Sequence, residues 1–90
     1  MSIRITHIQF SGSKNHQSIS RFRSVEDGTG NNYDKDKATM VDWLDNKGVT
    51  AYVSSAGGRV SVDVVRDSPP YLRTKANGYW TDNLLSLPTF

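Results

Sequence analysis

The sequence predicts a single α+β domain over residues 1–90. It is a mostly antiparallel sheet in ββαββ order with a C-terminal hairpin-like arm and one helix on one face. Three observations predict it. Residues 2–10, 18–25 and 49–66 are rich in β-branched and aromatic residues set at the period of a strand. One stretch, about Lys35 to Lys47, gathers its apolar residues on one side at the period of a helix. Ninety residues supply one hydrophobic core and leave no length for a second.

In the first strand Ile3 and Ile5 point one way, Ile8 and Phe10 the other. The phase changes near His7, which predicts either cover on both faces or a bulge there. Ser11 to His16 is a loop by composition. In the second strand, residues 18–25, Arg21 and Arg23 share a face with Ile19 and Val25, and Phe22 lies opposite. Two arginines in mid-strand predict a wet face. Glu26 to Asn32 is the longest polar connection and leads into the helix. At ~100° per residue, Met40, Val41, Trp43 and Leu44 fall on one arc and Thr39, Asp42, Asp45 and Asn46 on the other. Asp34 or Asp36 is the expected N-cap, and Gly48 the expected left-handed stop.

Residues 49–66 form the clearest hairpin. A turn at Gly57-Gly58 sets Val53 opposite Val62 and Ala51 opposite Val64; a turn at Ala56-Gly57 keeps the same face in a different register. Asp67-Ser68-Pro69-Pro70 ends the sheet, because two prolines donate nothing to a ladder. Tyr71 to Ala76 is extended, Asn77-Gly78 is a tight turn, and Tyr79-Trp80-Thr81 returns. Thr81 or Asp82 then caps a short turn carrying Leu84, Leu85 and Leu87. The expected core is Ile3, Ile5, Phe22, Val41, Leu44, Ala51, Val53, Val60, Val62 and Val64, with the three leucines as a lid.

Composition excludes several function classes. The absence of cysteine removes a disulfide framework, a thiolate zinc site and a cysteine nucleophile. The longest apolar run, Ala51-Tyr52-Val53, is too short for a membrane span, and the first residues lack the apolar stretch of a secretory signal. A soluble, cytoplasmic protein without a membrane partner is the expectation. The net charge of +2 is small for a dedicated DNA binder. Residues 1–45 carry six Lys/Arg against six Asp/Glu, and residues 46–90 five against three, so the excess is C-terminal.

No motif specifies a reaction. His7 and His16 lie nine residues apart and lack zinc spacing. Asp27, Thr29 and Asn31 begin like a calcium loop, but Asn32 and Ala38 stand where Gly and Glu are required. Gly28-Thr29-Gly30 precedes a helix without the remainder of a phosphate loop. No serine sits in a nucleophile elbow. The expectation is a non-enzymatic chain with no cofactor and no metal.

The remaining constellation interleaves cations with rings: Tyr71, Arg73, Lys75, Tyr79 and Trp80, with Arg21 and Arg23 on another strand. Across an Asn77-Gly78 turn Trp80 falls opposite Lys75. Rings stack on bases and cations track phosphates. The plainer account packs Tyr71 and Trp80 as core and pairs Arg73 with an aromatic ring or with Asp82.

Tyr71-Leu72-Arg73-Thr74, Ala76-Asn77-Gly78, Trp80-Thr81-Asp82-Asn83-Leu84-Leu85 and Leu87-Pro88 resemble the C-terminal signature of a family of small bacterial proteins catalogued as a domain of unknown function. Ile5-Thr6-His7-Ile8, Met40-Val41-Asp42-Trp43-Leu44, Ala51-Tyr52-Val53 and Val60-Ser61-Val62 extend the resemblance along the chain. It implies a free-standing domain of this size and supplies no catalytic residue. Two functions then compete. One is a protein-interaction module, a homodimer included, working through the C-terminal arm and a sheet edge. The other is a nucleic-acid-binding module using the interleaved cations and rings.

Overall fold

A computed structural model of the chain describes residues 1–55 and 57–90. The strands are β1 (Ser2–Phe10), β2 (Ile19–Glu26), β3 (Asn32–Asp36), β4 (Thr50–Ser55), β5 (Gly58–Val65), β6 (Tyr71–Ala76) and β7 (Tyr79–Thr81). Helix α1 (Lys37–Asn46) lies between β3 and β4, and two 3-10 turns cover His16–Ser18 and Asn83–Ser86. The strands form one sheet in the order β3-β2-β1-β4-β5-β6-β7. Neighbours pair antiparallel except β1 and β4, which are parallel. Only a crossover can join parallel neighbours, and α1 supplies it by carrying the chain back across the sheet.

The inner face holds the core. Ile3 and Ile5 of β1, Phe22 of β2, Ala51 and Val53 of β4, Val62 of β5 and Leu72 of β6 are buried there with Met40 and Val41 of α1. Each of the larger side chains, Ala51 aside, contributes on the order of 1.5–3 kcal/mol by leaving water. Trp43, Leu44, Val60 and Val64 are half-buried at the margin of this cluster. Leu84 is fully buried, so its turn is part of the core rather than a lid, with Leu85 and Leu87 half-buried around it.

Two bulges explain where alternation breaks. The β1–β2 register slips between Ile5 and His7, so Ile8 rejoins Ile3 and Ile5 on the inner face. It slips again between Gln9 and Phe10, where β2 carries the extra residue. That second bulge corrects the sequence expectation for Ile19, which is buried along with Phe22 instead of sharing the arginine face.

The helix starts later than the periodicity suggests, because Lys35 and Asp36 belong to β3 and pair with Phe22 and Arg21. Asp36 is the N-cap, its carboxylate accepting the Thr39 amide at 2.9 Å. Gly48, at φ +69, ends the helix in the left-handed conformation. The strand β3 was hidden within what reads as polar connection and helix start. In the β4–β5 hairpin Val53 faces Val60 and Ala51 faces Val62, so the alternative register is the one adopted. The turn residue Ala56 lies outside the described residues.

Candidate functional site

Strand alternation places Arg21, Arg23, Tyr71, Arg73, Lys75 and Trp80 on the outer face, away from α1. Tyr79 points to the other side. The topology does not make one patch of them, because β1, β4 and β5 separate β2 from β6. Arg21 and Arg23 form one group and the β6–β7 residues another.

In the first group Asp34 of β3 is the hub. Arg21 donates from Nε to its carboxylate at 2.9 Å, and Arg23 approaches it at 3.9 Å. The Arg23 guanidinium lies 4.0 Å from the centre of the Phe90 ring. That ring is held by the C-terminal residues, which run along β1: the Ile8 amide donates to Pro88 and the Phe90 amide to Ile8.

The second group is built on a tight turn. Asn77 (φ +53) and Gly78 (φ +82) both adopt the left-handed conformation, as a two-residue hairpin of this twist requires. Lys75 then faces Trp80, and its ammonium lies 4.9 Å from the centre of the indole. Arg73 faces Asp63 across β5 and β6, donates to Asp82 at 2.8 Å and to the Thr81 carbonyl at 3.1 Å. The Thr81 hydroxyl lies 2.7 Å from both the Thr74 hydroxyl and the Asn83 Oδ1, and Thr74 donates to the Thr81 carbonyl at 3.0 Å. Tyr71 is half-buried. Trp80 is 40% and Tyr79 76% exposed, so neither is core.

Beneath Asp82 sits His16, which has no zinc spacing to His7 but a distinct environment of its own. His16 is buried, 3.9 Å from Asp82, and its Nε2 has no hydrogen-bond partner. Burial pushes its pKa below the ordinary value; Arg73 pushes the same way and Asp82 opposes. Its loop position gave no sign of this. Between the two groups lie further outer-face side chains that the sequence reading missed. The Arg59 guanidinium covers the Tyr52 ring at 4.2 Å, and the Tyr52 hydroxyl donates to Asp27 at 2.8 Å, raising its pKa. Arg4 is exposed beside them. Alternation within the hairpin puts Tyr52 and Ser54 on the face opposite Val53, which was the available signal.

Among the described residues, open clefts lie near both groups. One, of about 430 Å³, reaches from Trp80 and Lys75 past Ser61 towards Leu44 and Arg66. The other, of about 410 Å³, lies at the first bulge between Thr6, His7, Arg23 and Tyr33. There Thr6 donates to the Arg23 carbonyl at 3.2 Å, so it meets the His7 Nδ1, at 2.9 Å, as an acceptor. Among the described residues no group of three or more His, Asp or Glu is placed to hold a metal, and no helix is long and apolar enough to cross a membrane.

The two edges of the sheet differ. In a two-residue hairpin Ala76 and Tyr79 exchange the closing hydrogen bonds, so the backbone N–H and C=O of Trp80 point away from β6. They point outward, since β7 is the last strand. No curated protein and no solved structure matches the chain. A family profile does, over residues 4–88, and the chain thus belongs to the family described as protein of unknown function (DUF3892).

Proposed function

We propose that this protein is a non-catalytic interaction module that takes an extended segment of a protein partner at the edge of β7. The observation that carries the reading is the coincidence at Trp80: an exposed indole and an outward-facing backbone pair on one edge strand. Tyr79, the most exposed of the large apolar side chains, adjoins it. Main-chain pairing supplies affinity in strand addition, and the flanking side chains supply selection.

A nucleic-acid reading draws on the Lys75–Trp80 stack and the arginines of the outer face. It is the weaker of the two. Tyr52 is already covered by Arg59, Lys75 lies against the Trp80 ring, and Arg21, Arg66 and Arg73 are engaged by carboxylates. On the outer face, among the described residues, that leaves Arg4 and Lys75 without a carboxylate partner and few open ring faces for bases.

Titration of the isotope-labelled protein with a capped, uncharged Thr–Val repeat peptide tests the docking edge. The amide resonances of Tyr79, Trp80 and Thr81 are expected to move, with Asn32–Asp36 unmoved. Shifts centred on β3 or α1, or no shifts at millimolar peptide, overturn it.

A further inference from the structure

Resting on β7 as the docking edge, we propose that the segment it accepts is acidic, with a carboxylate seated beside Trp80 and Lys75. Arg21, Arg66 and Arg73 each have a carboxylate within 3 Å, and Arg59 has Asp27 at 3.8 Å. Lys75, among the described residues, has no ion-pair partner; its ammonium rests against the indole at the open edge. Asp82 lies at one end of β7, but its charge is met by Arg73 at 2.8 Å. Asp63, among the described residues, also lacks an ion-pair partner and lines the same cleft as Trp80 and Lys75, but it stands on β5, two strands from β7, so the unmatched charge against the indole is that of Lys75.

The geometry of an added strand places its side chains. Its backbone would lie about 4.8 Å beyond β7. The residue opposite Trp80 turns its side chain to the outer face, beside the indole and in the same row as Lys75. A Glu there reaches back across the indole edge towards the ammonium. A Lys in the same slot brings a like charge towards the ammonium from across the indole, with β7 between the two strands, and the two charges repel. Residues on either side of that position turn to the other face, beside Tyr79 and Thr81, where apolar side chains fit. The preferred pattern is an alternation of acidic and apolar residues.

Two capped ten-residue peptides, a Glu–Val repeat and a Lys–Val repeat, test this on the full chain, with oligo-dT as a third ligand. The Glu peptide is expected to bind about three- to fivefold more tightly than the Lys peptide, the range of a single exposed ion pair. Added salt should narrow the gap. Lys75→Glu, an exposed-face change, should reverse the order of the two peptides while leaving the spectrum of the core unchanged. Trp80→Pro, which removes the outward donor, should weaken both. Equal binding of the two peptides overturns the acidic preference and leaves the docking edge standing. Neither peptide moving Trp80 overturns both. Oligo-dT moving Lys75 and Trp80 in their place overturns both in favour of the nucleic-acid reading.

Discussion

At one edge of the sheet β3 turns Asn32, Asp34 and Asp36 to solvent, while at the other β7 exposes Tyr79 and Trp80. The β3 edge is fastened from both faces. On the outer face Arg21 grips Asp34; on the inner face Tyr33 meets Trp43 edge-on at 5.3 Å and donates to Glu26 at 2.6 Å. Lys35 adds a cation 5.7 Å from the same indole. Charges along a strand discourage a second chain from pairing with it. The β7 edge has shortness as its only such protection, and it is tied to the body through β6, Arg73–Asp82 and the buried Leu84. One edge is lined with carboxylates held by arginine; the other carries exposed rings.

Truncating the anchor of β7 should give the largest effect. Leu84 is fully buried in the core cluster, so Leu84→Ala removes contacts and leaves a cavity at a cost of about 2–5 kcal/mol. Denaturant unfolding reads the loss. Amide exchange reads its location, with β7 and the end of β6 losing protection before β3. A loss below about 1 kcal/mol, or protection lost first at β3, would mean that β7 stands without the turn behind it.

A smaller effect is expected where β3 passes into the helix. The Asp36 carboxylate accepts the Thr39 amide, and hydrogen bonding from Thr39 holds its pKa below the ordinary value. Asp36→Ala removes the cap and lowers the melting temperature by a few degrees, and Asp36→Asn recovers most of the loss. Thermal melts of the pair check this. Equal melting temperatures for Asp36→Ala and the parent show that β3, rather than the cap, sets the start of α1.

The contrast between the edges also explains what the sequence made legible. The helix arc, the Gly48 stop, the Asn77-Gly78 turn, the Lys75–Trp80 pairing and the Arg73–Asp82 contact all follow from local spacing, and all are present. The strand β3 was not legible because only Tyr33 and Lys35 turn inward, and an edge strand with one ring leaves no apolar alternation. Ile19 was misplaced because a bulge inserts a residue without any mark in composition. The candidate site was half legible. Its β6–β7 members are neighbours in sequence, whereas the distance of Arg21 and Arg23 from them is fixed by strand order, to which the parallel β1–β4 pairing contributes.

The smallest expected effect lies under β7 and depends on pH. His16 is buried with an unpartnered Nε2, and its pKa is lowered by burial and by Arg73, against the pull of Asp82. The folded state thus binds a proton less readily than the unfolded chain, whose histidine titrates near ~6.5. Stability from this site is fully present above that value and is lost as pH falls through and below it. Urea midpoints at neutral pH and about one unit either side of ~6.5 should fall on the acid side. His16→Gln, which carries no titrating ring, should flatten the dependence, and in the parent the first amides to lose protection should be those of β6 and β7. An equally steep dependence in His16→Gln assigns the acid sensitivity to another group. Early loss at β3 instead would mean that the two edges yield to acid together.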